Sequence, residues 1–206
     1  VLRREEAGLS LPGAKVKESR SLSSWTTTMT DKAPIITFKN LSEHRRMSEE
    51  TMCFDGTMYI DGVRVAFIEN TGKGGMTDIT PVEASDEVMA LLARAKAFAL
   101  TQTWEYEGKP EPYGDLESYI DQLVADEVTR KDLTRSFNRD VKAKVVVVID
   151  GDVYSFKCAF NEANCAAIRK KHGERVQILN AVPRDEALKL YIATVIESSK
   201  RANRGS

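Results

Sequence analysis

Met52 to Asn70 reads MCFDGTMYIDGVRVAFIEN, and the Asp61-Gly62 pair at its centre decides the fold. Two strand-like runs, Met52–Ile60 and Val63–Asn70, meet at a two-residue connection. Asp-Gly supplies the positive φ angles of a type I′ turn, whose twist matches that of the flanking strands. A β-hairpin is therefore expected. Simple alternation from the turn pairs Ile60 with Val63, Met58 with Val65 and Gly56 with Phe67 on an apolar face. Tyr59 then lies opposite Arg64 and Thr57 opposite Ala66, and Phe67 covers the gap left by Gly56.

A second hairpin repeats this chemistry. Val146–Phe156 reads VVVIDGDVYSF, again with Ile-Asp-Gly at the turn. The β-branched run Val145–Ile149 suits a central strand buried on both faces. The shared Ile-Asp-Gly is read as convergence on a favourable turn in preference to internal duplication.

Outward from the hairpins, Pro34–Phe38 predicts a short strand, and the polar stretch from Leu41 to Glu50 a loop or helical turn. Ser85 is a good N-cap for a helix running to about Thr101, with Val88, Leu91, Leu92, Ala95, Phe98 and Ala99 on one face. Trp104–Tyr113 reads as a connector broken by Gly108, Pro110 and Pro112. Asp115 caps a second helix with Leu116, Tyr119, Ile120, Leu123, Val124 and Val128 inward, continuing through Leu133, Phe137 and Val141. Asn161 caps a third helix that ends at Gly173, with Phe160 and Cys165 placed for a hydrophobic staple. Arg175–Leu179 is a further strand, and a last helix runs from about Pro183 to Ser199. Strands and helices do not alternate, so the fold class is α+β: two Asp-Gly hairpins and additional strands in a mainly antiparallel sheet, packed with four or five helices.

The opening segment, residues 1–28, differs in kind. VLRREEAGLSLPGAKVKESRSLSSWTTT has no period and little apolar surface to bury. It is expected to be a disordered or mis-called extension, with Met29 a natural start and 29–206 a single α+β domain. The candidate subdomain break lies near 103–114.

Composition narrows function by exclusion. Thirty basic against thirty-one acidic residues give a formal charge of -1, so bulk electrostatics select no partner. Cys53, Cys158 and Cys165 form no CxxC pair, which argues against a disulfide framework and a zinc knuckle. Val145–Ile149 is too short to span a bilayer. With no basic segment leading into an apolar run, no membrane association is expected, and the expected compartment is the cytoplasm. His44 and His172 are the only histidines and lack ligand spacing. No Gly-x-Ser-x-Gly, Walker or dinucleotide pattern occurs, and no cofactor or metal is expected. A Cys158 or Cys165 pair with His44, and the turn carboxylates Asp55, Asp150 and Asp152, are weak catalytic candidates.

Three groups of residues merit a site. Asn70, Gly72, Lys73, Gly74 and Gly75 form a glycine-rich loop that could expose amides to an anion, although it lacks P-loop spacing. Lys131, Arg135, Arg139 and Lys142 recur at helical spacing and could track nucleic-acid phosphates, although Asp132 and Asp140 dilute the row. Trp104, Tyr106 and Tyr113 in the connector are candidate protein contacts.

Ile35 to Gly75 resembles the N-terminal region of small, functionally uncharacterised proteins of phages, prophages and plasmids. The matching positions are Ile36 to Leu41 (ITFKNL), Ser48 to Thr51, Cys53, Phe54, Asp61, Gly62, Asn70, Gly72, Gly74 and Gly75. Where such proteins carry a Cys or His after the glycines, Met76 and Thr77 stand here. The resemblance implies a mobile-element origin. Small accessory proteins of these elements often bind host or phage proteins, or nucleic acid. The leading expectation is thus a non-enzymatic binding protein with a host or phage protein as partner. The alternatives are nucleic-acid binding through the basic helix face, or an enzyme or nucleotide-binding protein using the 70–75 loop.

Overall fold

In the computed structural model, Asp61 (φ 51°) and Gly62 (φ 86°) turn the first hairpin, and Asp150 (φ 51°) and Gly151 (φ 81°) turn the second. The structure describes residues 32–106 and 108–204. Residues 1–28, read above as an extension, lie outside the described residues.

The fold is α+β with antiparallel strands. Among the described residues the strands divide among three separate sheets instead of joining into one. The first sheet takes β1 (Ile36–Glu43), β2 (Phe54–Ile60), β3 (Val63–Asn70) and β4 (Asp78–Pro81), in that order. Helix α1 (Asp86–Ala99) follows, then a two-stranded arm of β5 (Thr103–Tyr106) and β6 (Lys109–Pro112). Helix α2 (Leu116–Ala143) leads to a three-stranded sheet of β7 (Val145–Ile149), β8 (Asp152–Phe156) and β9 (Val176–Ile178), in the order β8-β7-β9. Helix α3 (Glu162–His172) stands between β8 and β9, and α4 (Arg184–Arg204) closes the chain.

Several boundaries differ from the sequence reading. β1 runs past Phe38 to Glu43, and a 3-10 turn at Arg45–Met47 takes the polar stretch. Neither β4 nor the β5–β6 arm was foreseen. The expected staple does not form a buried contact, since Phe160 is exposed. The caps hold: the side chains of Ser85, Asp115 and Asn161 accept from Val88, Ser118 and Asn164 N–H groups.

The register of the first hairpin departs from simple alternation. Ile60 faces Val63 and Tyr59 faces Arg64, but Met58 then pairs with Ala66, Thr57 with Phe67 and Gly56 with Ile68. Val65 is the extra residue of a β-bulge, so Val65 and Ala66, neighbours in sequence, are both fully buried. Core demand for both side chains overrides the period of two. Phe67 is left 48% exposed, with the Arg64 guanidinium over its ring. Gly56 is covered by Leu41 instead: a Cβ at Gly56 would lie 3.2 Å from Leu41 Cδ1. A second irregularity, between Lys39 and Ser42, brings Leu41 there, with Asn40 at φ 51°.

One face of the first sheet buries Phe54, Met58, Ile60, Val65, Ala66 and Ile68 against Val88, Ala95 and Ala99 of α1 and Leu116, Ile120, Val124 and Val128 of α2. Farther along α2, Phe137 joins Val146, Leu179, Ala187 and Tyr191 in another core. The alternate residues of β7, Val145, Val147 and Ile149, pack on Cys165 and Ile168 of α3. β7 is therefore the central strand, buried on both faces, as its composition predicts. The passage from one core to the other falls inside α2, whose 28 residues span about 42 Å. Asn180 ties the helix end to β7: its amide donates to the carbonyls of Val141 and Lys144 while its oxygen accepts from Val146 N–H.

Candidate functional site

Asn70, the last residue of β3, is 3% exposed and organises the glycine loop. Its Oδ1 accepts from Gly72 N–H at 2.9 Å and from the Thr51 hydroxyl at 2.9 Å. Its Nδ2 donates to the Gly75 carbonyl at 3.2 Å and to Thr77 Oγ1 at 3.1 Å. The Thr77 hydroxyl in turn donates a hydrogen bond to the carboxylate of Asp121 on α2. A chain of polar contacts thus runs from the end of β3 through the loop to the helix.

The same geometry decides what the loop amides do. Gly72 N–H is spent on Asn70, and Gly74 N–H donates to Thr51 Oγ1 at 3.3 Å. The Gly72 carbonyl accepts from the N–H groups of Glu49, Glu50 and Thr51. Glu50 packs its carboxylate against Gly74. Two amides that would cradle an anion are therefore turned inward, and a negative charge stands beside the loop. Lys73 projects to solvent. The loop folds the 49–51 and 70–77 segments onto each other.

Between this loop, α2 and the β5–β6 arm lies a cleft of about 580 Å3. Met52, Phe54, Trp104 and Tyr113 supply its apolar wall, and Thr51, Asn70, Ser118, Asp121 and Gln122 its polar groups. Two candidate groups that are distant in sequence meet here, the glycine loop through Asn70 and the aromatic set through Trp104 and Tyr113. Their exposures differ. Trp104 is 43% and Tyr106 53% exposed, with ring centroids 5.4 Å apart. Tyr113 is 8% exposed and stacks edge-on against Tyr119 at 5.2 Å, so it is a wall of the cleft and not a surface contact. Every residue of β5 and β6 is exposed.

Asp121 was not foreseen. Burial pushes its carboxyl above the ordinary aspartate range, the Thr77 hydroxyl opposes that shift, and Asp115 and Glu117 add to it. Burial also raises Tyr113 and Tyr119, with Asp126 adding to both. The sequence did hold a signal. Ser118, Asp121, Gln122 and Ala125 share a helical face beside the apolar stripe, and all four line the cleft.

The basic row lies elsewhere on α2. Lys131 Nζ donates to the Leu41 carbonyl at 3.3 Å, satisfying a group at the β1 irregularity. Arg135 pairs with Asp132 at 3.2 Å, and Arg139 with Asp140 at 3.3 Å. Asp132 also binds Arg45. Of the four, Lys142 carries no such partner among the described residues in its exposed position at the end of the helix. The row is interleaved with its own counter-ions.

Among the described residues no group of three or more His, Cys, Asp or Glu is arranged to hold a metal ion. His44 contacts Asp55 at 2.5 Å, away from Cys158 and Cys165, which are free thiols on the α3 side of the chain. No described helix is long and apolar enough to cross a membrane. No family model, curated protein or solved structure matches the chain.

Proposed function

We propose that this is an accessory protein of a phage or related mobile element that acts in the host cytoplasm by binding another protein. The observation that carries the reading is Trp104. It forms a wall of the cleft, remains 43% exposed, and stacks on the exposed Tyr106 of an arm that is solvent-facing throughout. Large rigid aromatics left accessible at a concave site are typical anchors of protein interfaces. The mobile-element origin rests on the resemblance of Ile35–Gly75.

The test is a pull-down from bacterial lysate with the full chain and with W104A/Y106A, each run with and without nuclease. A protein retained after nuclease treatment and lost with the double variant is the expected result. An empty capture, or capture that disappears with nuclease, overturns the reading; the second outcome points to nucleic acid.

A further inference from the structure

Asp121 differs from three other carboxylates of α2, which have cationic partners. Glu127 pairs with Arg130, Asp132 with Arg45 and Arg135, and Asp140 with Arg139 and Lys144. Asp121 has one hydrogen-bond partner, the neutral hydroxyl of Thr77, and no Lys, Arg or His of the described residues pairs with it. It is partly buried and lines the cleft. A carboxylate withdrawn from water without a counter-ion is costly to the fold. None of the described residues that line the cleft is basic.

The other walls agree with a cationic occupant. Trp104 and Tyr113 line it with aromatic rings, and the face of such a ring attracts an ammonium or guanidinium group. Met52 and Phe54 provide apolar surface on which a methylene stem can lie. An anion would meet Asp121 with nothing to compensate it. The arm that carries Trp104 is exposed along both strands, so a partner chain has open surface to meet beside the cleft.

We infer that the cleft receives a lysine or arginine side chain of the partner protein, with Asp121 as counter-ion and Trp104 against the stem. The inference rests on the binding function proposed above and names the chemistry of the partner. Such a contact gives a counter-ion to a half-withdrawn carboxylate that lines a cleft beside aromatics.

The experiment uses the full chain carrying W25F, which leaves Trp104 as its single indole. Synthetic heptapeptides of Gly and Ser with Lys, Arg, norleucine, Gln or Glu at the centre are titrated while Trp104 emission is followed. Lys and Arg peptides are expected to give a saturable change, with affinity at least about ten-fold above the other three and falling as salt is raised. D121N is expected to remove that ten-fold preference, and D121E to keep part of it. D185N, on the exposed start of α4, should leave it unchanged. An Asn at 121 still offers an oxygen to Thr77, and a melting curve on each variant confirms that it is folded.

Equal response to all five peptides, no response to any, or a preference indifferent to D121N overturns the inference. n-Butylammonium or butylguanidinium binding as tightly as the peptides also overturns it, since the site would then serve a free amine. The two readings fail separately. A lysate protein held through Trp104 and Tyr106 but unaffected by D121N sinks the counter-ion while leaving the binding function. A clear Lys preference with an empty pull-down sinks the binding function instead.

Discussion

Thr77 donates its hydroxyl to the Asp121 carboxylate while accepting from the Asn70 amide, and so one small side chain joins the glycine loop to α2. Thr77 is 2% exposed. A buried hydroxyl with both roles filled cannot be replaced by a methyl without leaving a donor and an acceptor unmet.

Thr77→Val should therefore cost about 1–3 kcal/mol. Asn70→Ala should cost more, on the order of 3 kcal/mol, because it strips partners from Thr51, Gly72, Gly75 and Thr77 together. Lys73→Ala should fall within about 0.5 kcal/mol, as for an exposed side chain. Urea unfolding of the three variants measures all of this. A large loss from Lys73→Ala with little from Asn70→Ala would return the loop to an anion-binding role.

Gly72 and Gly62 share a positive φ but not an environment. At Gly62 a Cβ meets nothing within 4 Å, whereas at Gly72 it would fall on the Met47 carbonyl and 2.7 Å from Cys53 Cβ. Gly62→Ala should cost about 1–2 kcal/mol, the left-handed backbone penalty alone. Gly72→Ala adds a collision with backbone, and its melting temperature should fall well below that of Gly62→Ala. Equal losses at the two sites would contradict the close approach.

What could be read from the sequence divides along the same physical line. Asp61-Gly62 and Asp150-Gly151 act locally, because the turn geometry is a property of the two residues themselves, and both hairpins were legible. The register beyond the turn was not, because the bulge at Val65 serves a core built by α1 and α2. The β5–β6 arm was hidden for another reason. Its strands are four residues each and exposed on both faces, so no buried period of two marks them. Pro110 and Pro112 argue against a strand in β6 despite the β-forming Thr103, Trp104 and Tyr106 of β5. Trp104 and Tyr113 were recognisable as candidates. Their meeting with Asn70 was not, since it depends on how the arm and α2 stand against the first sheet.

The basic row on α2 gives a contrast within a single helix face. Lys131 satisfies the Leu41 carbonyl, and Lys131→Ala should cost about 1 kcal/mol. Arg135→Ala and Arg139→Ala break only exposed ion pairs and should each stay within about 0.5 kcal/mol. A row already neutralised by Asp132 and Asp140 should not retain an oligonucleotide in a filter assay at 50 mM salt, where cationic tracks bind best. Retention that falls steeply with salt and weakens in R135A/R139A would reverse the assignment.

The pH dependence of stability isolates Asp121. Burial, and then Asp115 and Glu117 against the opposing Thr77 hydroxyl, raise its carboxyl above its ordinary value of 3.8. The folded state therefore holds the proton more tightly than the unfolded chain between the two pKa values. This contribution is fully present below the unfolded value and is lost as pH rises through the folded one. Wild type should lose stability relative to D121N over a window that opens near 3.8 and extends upward. Paired thermal melts from acid to neutral pH measure the difference, in which the other titrating groups cancel to first order. A gap that moves the opposite way would mean that the charged carboxylate is already stabilised in the folded protein. Addition of a saturating Lys peptide should itself reverse the slope, because a cation beside Asp121 favours the ionised form that burial opposes.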